Sequence, residues 1–321
     1  MVGMLSCRIA VLPRKTADTA LLRRLRRATG ITLALLTFAS FGILLSRTLE
    51  LNGGAWTRLA ADIPVALRVT HFGHVWLWRI PALTVAWIVW AWLARRPRDH
   101  VLAAWIMLLA VAAIAFTRSE TGHPADHGDF TPAVWIDWLH ILAAGAWLGS
   151  LFAMSLVVFP RLMAAGNAAV KTSATVFQHL STLSGTALAV LLAAGIYNVH
   201  TQLGGIASLW TSRYGAALDV KLAIVLAMIV LGAHNRYIKL PRLLACAERP
   251  PPRSIIARWL PACLHPPRTR NPGDALRACA HAVLLESLLG VAVIGATAVL
   301  IHSMPPADIP AMPPMAARAP R

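Results

Sequence analysis

Residues 101–117 read VLAAWIMLLAVAAIAFT, a run of seventeen residues without one charged side chain. A helix of ~17–25 such residues is long enough to cross the ~30 Å hydrocarbon core of a bilayer. Lipid offers no hydrogen-bond partner to a peptide group, so a segment that crosses it must satisfy its own backbone, as a helix does. This stretch therefore predicts a transmembrane helix.

Six further apolar runs lie on either side of it, so we predict an all-α polytopic membrane protein with about seven transmembrane helices. Charged residues make up only 13% of the chain and apolar residues 57%, whereas a soluble domain carries about 25% charged residues. The predicted spans are 29–46, 75–94, 101–117, 133–159, 173–198, 214–238 and 279–302.

The distribution of basic residues predicts the orientation. Of the Lys and Arg residues, 21 lie in segments on the same side as the amino terminus and 8 in segments on the other side. The positive-inside rule then places the amino terminus in the cytoplasm and the carboxyl terminus in the periplasm. The same rule explains the net charge of +17 with the bilayer as partner and no nucleic acid.

Composition divides the chain into six segments. They are a basic cytoplasmic amino-terminal segment (1–28), three spans with outer loops (29–132), spans four to six (133–240), a basic Pro-rich cytoplasmic linker (241–278), the last span (279–302) and a Met/Pro periplasmic tail (303–321).

Two segments of the chain resemble each other. Arg79 follows the stretch Thr70-His71-Phe72-Gly73 at the same spacing at which Lys221 follows Ser212-Arg213-Tyr214-Gly215. This likeness suggests possible parallel three-helix repeats around an unpaired fourth helix.

Histidines collect near the predicted outer face. Imidazole is the commonest biological metal ligand, and it suits copper. His71 and His74 are three residues apart in the chain and would share a helix face. The simpler interpretation is that wet outer loops tolerate histidine. The candidate ligands are His71, His74, His123, His127, His140, His200 and His302.

Three more ionisable residues fall inside predicted spans, where a charge is costly and often functional. Asp137 lies one turn before His140 and would orient its imidazole as a second-shell partner, or else make a structural hydrogen bond between helices. Lys221 and Glu286 lie at different depths, which argues against a direct ion pair between them.

The tail adds methionines. Thioether sulfur is a soft ligand that prefers Cu(I), so Met304, Met312 and Met315 are candidate copper ligands, unless they are incidental residues of an unstructured tail. The four cysteines form no C-x-x-C pair, which gives no support to a zinc or disulfide framework. The sequence contains no nucleotide-binding loop, no G-x-S-x-G motif and no H-E-x-x-H motif, which disfavours an ATP-driven pump. We predict a transporter-like protein and not an enzyme.

Several of these stretches resemble the CopD family of copper resistance membrane proteins. His140 to Gly149 resembles its His-x(6)-Trp-x-Gly segment, and Tyr214 to Lys221 its Tyr-Gly-x(5)-Lys segment. Gly122-His123 and the segment from Glu286 to Pro306 are also similar. The matching positions of the three main segments are His140, Trp147, Gly149, Tyr214, Gly215, Lys221 and Glu286.

The resemblance implies a bacterial inner-membrane protein of copper homeostasis or resistance that moves copper from periplasm to cytoplasm, and we expect the ion to be Cu(I). A separate periplasmic copper carrier protein is an expected partner. One alternative is a b-type haem electron-transfer protein, in which His140 and His200 would be axial ligands. Another is a sensor or scaffold that transports nothing.

Overall fold

The seven predicted spans are confirmed in the computed structural model, which describes residues 1–13, 18–96, 100–125, 128–203, 210, 212–249 and 271–301. Within these ranges the chain is almost entirely helical and has no strand. Seven of its helices are long and apolar enough to cross a membrane. They are Thr19–Leu51, His71–Ala94, Val101–Ser119, Pro132–Ala164, Val170–Thr201, Tyr214–Cys246 and Pro272–Leu300.

Most spans are longer than predicted, because polar residues that hydropathy excludes still continue the helix. The first span begins at Thr19, where the Asp18 carboxylate accepts a hydrogen bond from the backbone N–H of Ala20 at 2.9 Å. Arg161, in the fourth span, donates to the same carboxylate at 2.6 Å. The Ala20 N–H and the Arg161 guanidinium lower the pKa of Asp18. These contacts cap the first span and join it to the fourth.

The fourth span is the central helix of the bundle. It contacts the third, fifth and seventh spans, whereas the first packs mainly on the second and the sixth on the seventh. Large apolar side chains on the outside of the bundle stay exposed, among them Phe38 at 80% and Ile196 at 72%. Lipid is the solvent that such a surface requires. The exposure pattern therefore agrees with the membrane assignment.

An additional short helix, which the sequence did not predict, occupies the amino terminus. Val2–Ser6 is α-helical and continues as the π-helical segment Cys7–Val11. It packs on the fourth span so closely that a Cβ on Gly149 would lie 2.9 Å from the Cα of Gly3. Two glycines permit this approach of backbones, as at other membrane helix interfaces. Ten residues are too few to cross a bilayer, so hydropathy gave no signal.

Three π-helical segments occur in the described part of the chain, and each ends two residues before a proline. A proline within a helix has no N–H and its ring clashes with the preceding turn, and widening the helix relieves that clash at Pro160 and Pro241, where the helix continues. The segments and prolines are Cys7–Val11 with Pro13, Met154–Val158 with Pro160, and Asn235–Lys239 with Pro241.

The two segments proposed as repeats begin their helices in the same way. The Thr70 hydroxyl accepts a hydrogen bond from the N–H of Gly73 at 3.0 Å. The Ser212 hydroxyl accepts one from the N–H of Gly215 at 2.9 Å. A shared N-cap is common among helices, so the three-helix repeat itself stays a prediction.

Remaining helical segments are short. They lie between the spans or continue them, and they set the positions of the loops. Their bounds are Trp56–Arg58, Leu59–Val69, His123–Ala125, Phe159–Ala164, Gly166–Ala169 and Leu240–Cys246. Within the second span the helix is interrupted at Trp78, between His71–Leu77 and Arg79–Ala94.

Candidate metal-binding site

Three ionisable residues from two spans lie within electrostatic range of one another near one end of the bundle. Asp137 and His140 lie one turn apart on the fourth span, and Lys221 lies on the sixth. The charges of Asp137 and Lys221 both act on the His140 imidazole. We call this group the intramembrane cluster. We call its end of the bundle the outer end, following the predicted orientation.

Asp137 is held by the third span. Its Oδ2 accepts a hydrogen bond from Ser119 Oγ at 2.8 Å, and Ser119 is fully buried. This is the interhelical hydrogen bond that the sequence offered as an alternative to a second-shell role. Because Ser119 bonds to one of the two carboxylate oxygens, the negative charge of Asp137 can still attract an adjacent cation.

His140 has an unused nitrogen. Its Nδ1 is buried and has no hydrogen-bond partner among the described residues. Gly195 of the fifth span faces the ring, since a Cβ built there would lie 3.8 Å from His140 Cε1. A buried polar atom without a partner is uncommon and requires an explanation. An imidazole nitrogen with a free lone pair beside a carboxylate is a suitable metal ligand.

A second group of ligand atoms lies at the outer rim. His71, Glu120 and Asp129 each place one ligand atom within 4.8 Å of the other two. His71 Nε2 lies 3.4 Å from Asp129 Oδ1 and 3.4 Å from the backbone oxygen of Glu120. Glu120 caps the carboxyl end of the third span, where helix carbonyls favour a cation. We call these three residues the rim cluster.

Glu120 is the buried member of the rim cluster. Only 4% of it is exposed, and its Oε1 accepts a hydrogen bond from the N–H of Phe130 at 3.1 Å. Its Oε2 is buried and has no partner among the described residues. His71 and Glu120 line a cavity of about 400 Å³. One imidazole and two carboxylates suit a divalent ion such as Cu(II) better than Cu(I).

Other predicted ligands are separated from both clusters. His74 is near His71 in the chain, but its Nε2 contacts the backbone oxygen of Arg68 at 2.8 Å. His200 is exposed on the fifth span, on a different helix face from Gly195. Since Gly195 abuts the His140 ring, the geometry gives no support to a haem held between His140 and His200.

The remaining predicted ligands lie outside the described residues. Nothing in the structure therefore bears on the predicted copper ligands of the tail or on most of the basic linker, and both stay predictions. The residues are His127, His302, Met304, Met312 and Met315, together with the side chain of His123.

Glu286 lies in the other half of the bundle, apart from Lys221. Its Oε1 accepts a hydrogen bond from Asn235 Nδ2 of the sixth span, and both side chains are about 95% buried, with 5% and 4% exposed. The adjacent Ser287 Oγ lies 2.9 Å from Ser155 Oγ of the fourth span. These contacts join the seventh span to the two π-helical segments that contain Ser155 and Asn235.

Sequence reasoning missed Ser119, Glu120, Asp129 and Asn235 as parts of these clusters. In the sequence, Glu120 and Asp129 belong to an acidic loop near His123 and give no further sign of a shared site. No spacing rule relates His71 to that loop, because 49 residues separate it from Glu120. The recurring apolar-Pro-Arg triplet of residues 12–14, 159–161 and 240–242 is the signal that could have revealed the π-helical segments.

Comparison with known proteins gives two family matches. The N-terminal domain of copper resistance protein D-like proteins matches residues 1–131, and copper resistance protein D matches residues 174–300. Together they cover most of the chain. Each contains three spans, and the fourth span lies between them. No solved structure matches this chain.

Three individual proteins are similar to this chain. Copper resistance protein D of Pseudomonas syringae pv. tomato is 29% identical over 255 residues, covering 75% of this chain and 76% of that protein. Copper transport protein CutJ of Bacillus subtilis (strain 168) is 27% identical over 225 residues, which are 68% and 40% of the two chains. Inner membrane protein YebZ of Escherichia coli (strain K12) is 26% identical over 210 residues, which are 63% and 67%.

Proposed function

Since this chain belongs to the copper resistance protein D family, we propose that it is an inner-membrane copper permease that moves copper from the periplasm to the cytoplasm. Copper is the transported substrate, and the protein lies in the lipid bilayer. A periplasmic carrier protein that delivers copper to the outer end completes the proposal. The names of the three relatives, which refer to copper resistance, copper transport and the inner membrane, support this role.

One observation carries the proposal. The His140 Nδ1 is buried, has no partner among the described residues, and lies within the field of the Asp137 carboxylate. Ionisable residues inside a membrane protein mark ion pathways more often than structural positions. Lys221 adds a positive charge beside the same ring, and it repels a divalent cation more strongly than a monovalent one. The intramembrane cluster is therefore proposed to bind copper as Cu(I).

The rim cluster is proposed as the place of first capture. His71 and Asp129 are about half exposed, so an ion arriving from the periplasm can reach them. Two carboxylates attract a cation from solution and raise its local concentration. The copper captured at the rim is already Cu(I), held there weakly by charge, so its transfer to His140 changes no oxidation state.

The proposal predicts that cells expressing this protein accumulate more copper than cells carrying an empty vector. The measurement is total cell copper by elemental mass spectrometry after growth in copper of known concentration. Cell copper equal to that of the vector strain, with the protein present in the membrane, would contradict the proposed transport. Cell copper below that of the vector strain would indicate that the protein exports copper, opposite to the proposed direction.

Glu120→Gln tests the capture step in the same assay. The change keeps the size of the side chain and its acceptor to Phe130, but it removes the charge. At limiting copper we expect at least ~10-fold weaker capture, since even groups one shell from a metal contribute ~10–100-fold to affinity. At saturating copper accumulation should equal the wild type. Asp274→Asn, at an exposed carboxylate paired with Arg277 and far from the rim cluster in the fold, is the matched control.

A further inference from the structure

Cys7 and Met154 bring two sulfur atoms together in the inner half of the bundle. The Cys7 thiol donates to the Met154 thioether across 3.9 Å, and neither residue has any exposed surface. Cys7 lies on the amino-terminal helix and Met154 on the fourth span. They are 147 residues apart in sequence, and neither belongs to the clusters at the outer end.

The backbone at both sulfur residues is unusual. Cys7 and Met154 are each the first residue of a π-helical segment. Such bulges occur frequently at functional sites. The third segment begins at Asn235, which holds the carboxylate of Glu286. In each case the first residue of the segment contacts a polar or sulfur atom of another helix.

We propose that Cys7 and Met154 form an internal binding site for Cu(I). The site rests on the proposed function and deepens it, since it supplies a third binding position, after the rim and intramembrane clusters, on the way to the cytoplasm. Thiolate and thioether sulfur are soft ligands that select Cu(I). The carboxylates and imidazole of the rim cluster are harder ligands than sulfur and do not share its selectivity for Cu(I).

The distance between the sulfur atoms suits a shared metal. With metal–sulfur bonds of ~2.3 Å, the 3.9 Å separation corresponds to a sulfur–metal–sulfur angle of about 115°. This is near the trigonal value, so little movement is needed. Met4 lies one turn before Cys7 and is buried in the same apolar group. It is the nearest further thioether along that helix face.

Charge balance selects a monovalent ion. Cu⁺ replaces the thiol proton, so a Cys7 S–H bond breaks, a sulfur–copper bond forms, and H⁺ leaves to cytoplasmic water. No electron is transferred. The bound site stays neutral in an apolar interior, whereas a divalent ion would leave a net charge of +1 there at high cost. The site should therefore bind Cu(I) and reject Zn(II) and Cu(II).

The fourth span connects this site with His140. Met154 follows His140 by fourteen residues, which is ~21 Å along a helix and close to four turns. The two residues therefore project from nearly the same helix face, with Trp147 halfway between them. One continuous helix face thus carries the outer ligand and one of the inner ones.

The test is a Cu(I) titration of purified full-length protein in detergent, anaerobically and against a chromophoric Cu(I) chelator, with X-ray absorption at the copper edge. We expect Cys7→Ser and Met154→Leu each to lose one bound Cu(I) and its sulfur scattering. Met154→Leu conserves the side-chain volume, so it still tests whether the pair binds Cu(I) if Cys7→Ser does not fold. Cys279→Ser is the matched control, since this thiol is equally buried and donates to the backbone oxygen of Lys239 at 4.0 Å and not to a thioether.

Unchanged Cu(I) stoichiometry and sulfur scattering in both variants would overturn the site. An equal loss in Cys279→Ser would also overturn it, because the effect would not be specific to the pair. The assay requires no transport. Sulfur-bound Cu(I) in a protein that fails to accumulate copper in cells would therefore support this site and reject the proposed permease function instead.

Discussion

Replacing His140 by alanine is expected to abolish copper accumulation while the protein remains folded in the membrane. The imidazole supplies the metal-binding atom of the intramembrane cluster. Its Nδ1 makes no hydrogen bond to the described residues, so the truncation leaves no protein donor or acceptor unpaired at that atom. The measurement is copper accumulated per folded molecule, with the amount of protein quantified by fluorescence-detected gel filtration.

Asp137→Asn should give a weaker effect than His140→Ala. It keeps an acceptor for Ser119 but removes the charge that acts on the imidazole, so apparent copper affinity should fall by ~10–100-fold. His281→Ala, at an exposed histidine of the seventh span, is the control and should match the wild type. Normal accumulation by folded His140→Ala would remove this residue from the pathway and leave the rim cluster and the Cys7–Met154 pair as the remaining candidates.

Asn235→Leu is expected to destabilise the protein substantially. Asn235 donates to Glu286 in a buried part of the bundle. Leucine removes the donor and leaves a buried carboxyl group without it, at a cost of ~1–3 kcal/mol or more if the group is charged. The measurement is the midpoint of thermal unfolding in detergent, which should fall.

The double variant Asn235→Leu with Glu286→Leu separates this cause from a packing effect. Replacing both members of a buried polar pair by apolar residues is often nearly neutral. We therefore expect the double variant to recover most of the lost stability. A double variant less stable than Asn235→Leu alone would show that Glu286 has another essential contact in the folded state.

The spans could be predicted from the sequence because lipid imposes a simple rule on long apolar runs. The rule fails for short or polar-ended helices. The amino-terminal helix contains Arg8, which is 5% exposed, and spans no bilayer, so nothing in its hydropathy predicts its place against Gly149. Only a three-dimensional structure shows that the surrounding helices bury this arginine.

The candidate site was predictable in part. The pair Asp137 and His140 follows from helical spacing within one span, since three residues make about one turn. The rim cluster does not, because His71 belongs to the second span and Glu120 to the third. Contacts between Cys7 and Met154 likewise depend on helix packing. Sequence spacing therefore predicts which side chains of one helix lie close together, whereas contacts between different helices are known only from the fold.

Copper transport by the purified protein is the most direct test of this account. The protein is reconstituted into liposomes that enclose a Cu(I) chelator with a fluorescent response, and Cu(I) is added outside under reducing conditions. We predict that the wild-type protein gives a rise in internal fluorescence that His140→Ala does not give. A wild-type signal equal to that of protein-free liposomes, or an equal signal from His140→Ala, would contradict the claim that copper crosses the membrane by way of His140.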